Sequence, residues 1–167
     1  MRGISTRLAI VAVLVVAGLA GLGCIAGERG GAGNDGARLT ATVARVVDGD
    51  TVILSGLGRS RLIGVDTPEV HGRRECFGAQ ASAFAKRMLL GRRIRYAAGV
   101  QGRDRYGRAL VYVWLPDGRF FNELLITAGY ARPLAIAPNV RHAQRLRRLA
   151  RAAARAARGM WSPQACR

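Results

Sequence analysis

The sequence predicts an α+β domain dominated by β-strands: a five-stranded barrel with three helices, in the order β-β-β-α-β-β-α-α. Three observations predict it. β-Branched, partly alternating segments fill residues 38–65 and return at 92–115. Glycine-bearing turn signals divide them at short intervals. Stretches with apolar residues every three or four positions follow the third and the fifth strand.

Arg38 to Val47 (RLTATVARVV) reads as the first strand, Asp48-Gly49 as a turn and Thr51 to Leu54 as the second strand. Ser55 to Arg59, with Gly56 and Gly58, makes a hairpin turn into a third strand, Ser60 to Val65. Ala79 to Leu90 has helix-forming composition, a core-facing stripe of Ala81, Phe84, Ala85, Met88 and Leu89, and Gly91 as its stop. Arg92 to Ala98 and Arg108 to Leu115 are the remaining strands. Pro116-Asp117-Gly118 is a turn, and Asn122 to Ala128 a short helix closed by Gly129. Val140 to Arg158 is the longest helix. His142, Leu146, Leu149, Ala153, Ala156 and Met160 share its apolar side, where a histidine is expected to pack rather than to catalyse. Arg141, Arg145, Arg148 and Arg155 fall on another face. A five-stranded barrel with a helix between its third and fourth strands is the OB arrangement. Strand spacing alone also fits a sandwich.

The N-terminus predicts export. Arg2 and Arg7 precede an apolar run from Leu8 to Ala26, and small residues crowd its end, as in a cleavable signal peptide. Lipid attachment at Cys24 and an uncleaved membrane anchor are the alternatives. Residues 27–37 (GERGGAGNDGA) lack apolar periodicity and form a linker. The folded domain is then 38–167, about 130 residues, enough for one core without a structural metal. In an oxidising compartment Cys76 and Cys166 are an even pair. A bridge between them closes a loop of about 90 residues, worth ~4–5 kcal/mol in the chain-entropy account. Two free thiols are the other reading.

The chain carries 27 basic residues against 10 acidic ones, a net charge of +17 in 167 residues. Only Lys86 is lysine, a bias that GC-rich coding also produces, but coding bias leaves the scarcity of acids unexplained. Such a cation attracts polyanions, nucleic acid ahead of an anionic membrane surface. Eight acids lie after residue 37, and four of them sit in two motifs, Asp48-Gly49-Asp50-Thr51 and Val65-Asp66-Thr67-Pro68-Glu69. Clustering carboxylates in so basic a chain costs nothing only if they hold a cation. Two carboxylates on loops, with carbonyls and water, suit a hard divalent ion, and irregular loop geometry favours calcium. His71 and Cys76 share a loop without a third ligand at zinc spacing. Arg61 leads into Asp66, and Arg108 closes Asp104-Arg105-Tyr106-Gly107-Arg108. Arginine gives planar contacts to phosphate oxygens, and a nearby carboxylate can orient water. The ingredients fit phosphodiester hydrolysis.

DGDT, then RLxxVDTPE, then DRYGR, in this order and at these separations, resembles the thermonuclease (staphylococcal nuclease-like) family over roughly Leu39 to Ser162, including a final Gly-x-Trp. The resemblance implies a calcium-dependent nuclease acting on DNA and RNA that leaves 3′-phosphate ends. It implies Ca²⁺ on the Asp50 and Asp66 carboxylates and the Thr67 carbonyl, and Glu69 activating the attacking water. Arg61 and Arg108 would hold the phosphate and the developing charge, with Tyr106 and Arg105 on the nucleotide. Asp48 reads as a turn residue and Asp104 as a hydrogen-bonding one. The loop after Glu69 is short, though Arg73 and Arg74 keep it basic. Where the family often carries base-stacking tyrosines, within 132–139, this chain has small or aliphatic residues such as Ala135, Ile136 and Ala137. A stacked base contributes ~1–3 kcal/mol, so phosphate contacts, and hence salt, should weigh more here. Two other functions fit the composition: a non-catalytic OB module that binds nucleic acid, and an anchored cationic envelope protein. A monomer is expected, with attachment to a membrane only through the N-terminus.

Overall fold

The computed structural model describes residues 38–72 and 74–166. The expected leader (1–26), the linker (27–37) and Arg73 lie outside them. The described residues belong to one compact unit. In chain order that unit contains β1 (Leu39–Val46), β2 (Thr51–Leu54), β3 (Gly58–Leu62), β4 (Val65–Asp66) and α1 (Gly78–Leu89). There follow β5 (Arg93–Arg103), β6 (Ala109–Trp114), α2 (Phe121–Thr127), β7 (Arg132–Pro133), α3 (Ala143–Arg155) and a 3₁₀ turn, Gly159–Trp161. Five strands close a barrel in the order β1-β2-β3-β6-β5, with three helices outside it. The expected OB-type architecture is the observed one. Among the described residues no helix is long and apolar enough to cross a membrane.

Closure begins in β1. Its buried positions are Ala41, Val43 and then Val46, so the two-residue alternation slips once. The slip is a bulge between Val43 and Arg45 in the pairing with β2. A bulge bends and twists a strand, and here it lets residues 39–42 pair with β5 while 43–46 pair with β2. β3 runs parallel to β6 and completes the circle. The core filling it, with Leu54, Leu62, Ile94, Phe121, Leu125, Ile126 and Leu146 almost fully buried, draws on every strand of the barrel and on all three helices.

The structure departs from expectation at several boundaries. The expected third strand, 60–65, is two pieces. At Ile63 the chain turns out of the barrel: Asn122 Nδ2 donates to the Ile63 carbonyl at 2.8 Å, and Gly64 adopts a positive φ of 82°. Val65–Asp66 then pairs with Arg132–Pro133. The fourth barrel strand, expected at 92–98, continues to Arg103, because its far half is pinned by Asn139, whose amide bridges the Gln101 N–H and carbonyl at 3.0 and 2.9 Å. The last helix is shorter than 140–158. Residues 140–142 are spent on turns closed by Val140 N–H to Pro138 O and Ala143 N–H to Val140 O, and the helix unwinds where Ala157 takes a positive φ of 48°. His142 packs edge-on against Tyr112, with ring centres 4.8 Å apart, and beside Phe120 at 4.9 Å, as its place on the apolar side implied.

Candidate active site

The D-G-D-T motif is the turn from β1 to β2, and each residue has a distinct duty. The Asp48 carboxylate accepts the Asp50 N–H at 3.1 Å, which sets the turn. Gly49 is required because Thr67 lies against it: a Cβ there would sit 2.6 Å from the threonine methyl. Asp50, 2 % exposed, accepts hydrogen bonds from the Thr51 hydroxyl (3.1 Å), the Thr67 N–H (3.0 Å) and Arg61 Nη1 (2.8 Å). Asp66 arrives from the other side on β4, half exposed, and accepts Arg61 Nη2 at 2.7 Å.

Arg61 on β3 therefore bridges the two aspartates. One cation reaches both carboxylates, so the pair is built to share positive charge. The guanidinium does not fully compensate Asp50. Burial pushes its pKa up to about 6 against the lowering effects of Arg61 and the Thr67 N–H, with the Asp48 and Asp66 charges adding to the rise. An incompletely neutralised buried carboxylate beside a second carboxylate, both oxygen donors, fits a hard divalent cation. Among the described residues no group of three or more His, Cys, Asp or Glu side chains is placed to hold a metal. Asp50 and Asp66 offer carboxylate oxygens, the kind of donor a hard cation takes.

A cleft of about 420 Å³ opens beside this cluster and is lined by Arg61, Arg105, Tyr106 and Arg108 together with Leu134, Ile136 and Ala137. Arg108 is held by Asp104 through Nε–Oδ2 at 2.7 Å. Burial raises the Asp104 pKa, but the Arg108 guanidinium and the N–H groups of Arg108 and Tyr106 outweigh it and leave the carboxyl below its usual range. Asp104 thus aims Arg108 into the cleft. Tyr106, 67 % exposed, has two guanidinium groups over its ring, Arg105 at 4.8 Å and Arg108 at 5.4 Å from the ring centre, and Arg105 donates to its hydroxyl at 2.6 Å. Two cation–π contacts steady an otherwise solvent-exposed ring at the mouth.

The matching part of the chain agrees with this geometry. Residues 59–163 match the model of the staphylococcal nuclease homologue family. The chain is 39 % identical over 129 residues to a thermonuclease of Staphylococcus hyicus, covering 74 % of this chain and 76 % of that protein. It is 44 % identical over 103 residues to a thermonuclease of Staphylococcus intermedius, covering 58 % and 61 %. An uncharacterized endonuclease of Escherichia coli shares 33 % over 92 residues, 53 % of this chain and 57 % of its own. The chain belongs to the staphylococcal nuclease homologue family.

Within that family frame, most of the residues singled out from sequence meet at one place. Asp50, Arg61, Asp66 and Thr67 form a contiguous cluster, and Arg105, Tyr106 and Arg108 line the adjoining cleft. Asp50 precedes the matched span, and the β1–β2 turn is what brings it to Asp66. Glu69 stands three residues beyond Asp66 with an exposed side chain. Its backbone is fixed by Glu75, which donates N–H to the Glu69 carbonyl at 2.9 Å and accepts the Glu69 N–H at 3.2 Å. Gly78, opening α1, packs onto that carbonyl so closely that a Cβ would lie 2.5 Å from it. Cys76, in the same loop, is bridged to Cys166. Of the aliphatic residues expected on the base side, Ile136 and Ala137 line the cleft, and Leu134 stands there in place of Ala135. Sequence reasoning missed Asn139 and Gln101, which brace the cleft wall. Pro138-Asn139 was the available signal, and a lone asparagine does not announce which backbone it will clamp.

Proposed function

We propose that the chain is a calcium-dependent nuclease that hydrolyses phosphodiester bonds of DNA and RNA and leaves 3′-phosphate ends. Nuclease chemistry rests on family membership. The observation that carries the finer reading is Arg61 joining Asp50 to Asp66 at the edge of an arginine-lined cleft. Asp50, Asp66 and the Thr67 carbonyl would hold Ca²⁺, which when bound supplies a positive charge to phosphate oxygens. Arg61 and Arg108 would contact the equatorial oxygens and stabilise the charge that builds on them. Both enter that role from an ion pair, with Asp50 and Asp66 in one case and Asp104 in the other, so their orientation is set before substrate arrives. Glu69 takes the proton of the attacking water at its carboxylate. Tyr106 and Arg105 hold the neighbouring phosphate and sugar. The aliphatic wall of Leu134 and Ile136 offers contact area to a base without aromatic stacking, which shifts affinity toward the phosphates.

Export is part of the same proposal, supported by the Cys76–Cys166 bridge, since such bonds persist in oxidising compartments. The test is digestion of single-stranded DNA with Ca²⁺ and with excess chelator. Cleavage should require Ca²⁺ and yield 3′-phosphate termini. Glu69→Gln should lower kcat by on the order of 10²–10⁴ while leaving DNA binding intact. Intact cleavage by that variant would remove Glu69 from the chemistry, and no cleavage by the folded wild-type protein would leave a nucleic-acid-binding module.

A further inference from the structure

The outward side of α3 is a ridge of arginines that the fold does not use. Ala143, Leu146, Ala150 and Ala153 turn the other side of the helix to the barrel. Arg148, Arg151 and Arg155, exposed, repeat at steps of three and four residues, which places them in one row. Arg147 flanks the row. None of these four side chains makes a hydrogen bond or ion pair with another described residue. Arg145, to one side, does, donating to Glu123 at 2.9 Å. Like charges at such spacing repel and weaken a helix, and no acid relieves them, since no Asp or Glu follows Glu123 in the chain. A GC-rich gene accounts for arginine over lysine but does not delete acids from the last quarter of a protein.

The chemistry of the ridge selects its partner. No large hydrophobic side chain of α3 is exposed, so the helix lacks the apolar face that settles into a membrane and the buried anchor of a protein interface. Guanidinium groups in a row suit a chain of phosphates. Asn139 lines the cleft, and α3 begins at Ala143, so the segment that leaves the cleft wall leads directly into the helix that carries the row. We propose that Arg148, Arg151 and Arg155 form a second nucleic-acid contact, gripping the phosphate backbone of a strand whose scissile bond lies in the cleft. This rests on the nuclease reading for its substrate and adds to it a sequence-independent grip outside the cleft.

Binding of a long oligothymidylate and of a thymidine dinucleotide, measured in chelator against salt concentration, tests the proposal without cleavage. The variant R148A/R151A/R155A keeps α3, because alanine is the best helix former, and circular dichroism checks that it does. Each lost phosphate contact on a single strand lowers the slope of log K against log salt by about 0.7, so the triple variant should lose about 2 from its slope for the long strand. Its affinity for the dinucleotide should not change, and R148K/R151K/R155K should retain the wild-type slope. Equal slopes for the wild type and the alanine variant overturn the proposal. So does loss of binding to phosphatidylglycerol vesicles with the oligothymidylate slope unmoved, which would make the ridge a membrane contact. A changed slope in a protein that never cleaves with Ca²⁺ would sink the catalytic reading and leave the ridge standing.

Discussion

Asp50 concentrates the electrostatics of the site in one side chain. It is buried, its neighbours include the Asp48 and Asp66 carboxylates, and only Arg61 and two hydrogen-bond donors oppose the cost of its charge. Its folded pKa of about 6 exceeds the value of 3.8 for a free aspartate. With the folded pKa raised, the folded state binds more protons between these values, so stability is full below the lower pKa and falls as pH rises through the upper one. In chelator, the melting temperature should therefore decline from about pH 4 to about pH 6, by a loss on the order of 3 kcal/mol at most. Asp50→Asn should flatten that decline, and Ca²⁺ should restore stability above pH 6 in the wild type alone. A flat profile for chelated wild type would mean that Asp50 is better solvated than the structure places it. The sequence pointed to this residue because acids are scarce and the D-G-D-T turn is a motif. It did not reveal why Gly49 is there: the methyl of Thr67, from a segment far along the chain, fills the space.

At the level of elements, α3 shows what apolar spacing tells and what it leaves out. The spacing identified Leu146 as a core residue, and it is 1 % exposed. It also packs toward Gly64, at the turn that directs β4 and Asp66 away from the barrel. Leu146→Ala should cost ~2–5 kcal/mol in urea denaturation, within the range for buried leucines. Because the lost volume lies under the Gly64 turn, calcium affinity of the folded variant should also fall, as read by calorimetric titration. A large stability loss with calcium affinity unchanged would show that the turn is held by Asn122 alone. The break between β3 and β4 was not legible in the sequence. Ser60 to Val65 reads as one strand, and the chain leaves the barrel where Gly64 takes a positive φ and the Asn122 side chain, from a distant helix, donates to the Ile63 carbonyl.

For the whole molecule, the bridge between Cys76 and Cys166 spans 90 residues and ties the C-terminal end to the loop that holds Glu69. Constraining so long a segment in the unfolded chain contributes ~4–5 kcal/mol. Reductant, or a Cys76→Ser/Cys166→Ser variant, should lower the urea midpoint accordingly without changing the slope beyond what an expanded unfolded state implies. An unmoved midpoint would show that the bridge constrains nothing in the unfolded state. The pairing was open from the sequence, where two cysteines and an expected export segment allow a bridge but do not bring the sulfurs together. Local patterning by itself determined the element types and the identity of the charged groups, because alternation, helical spacing, turn glycines and motif residues act within a few positions of one another, while the choice of barrel over sandwich came with the β3–β6 pairing that closes the sheet. Only the tertiary structure decided that Arg61 spans Asp50 and Asp66, that Asn139 braces the cleft and that β4 leaves the barrel. Those outcomes depend on side chains meeting across dozens of residues, and no short-range signal encodes which of the available partners a buried polar group will find.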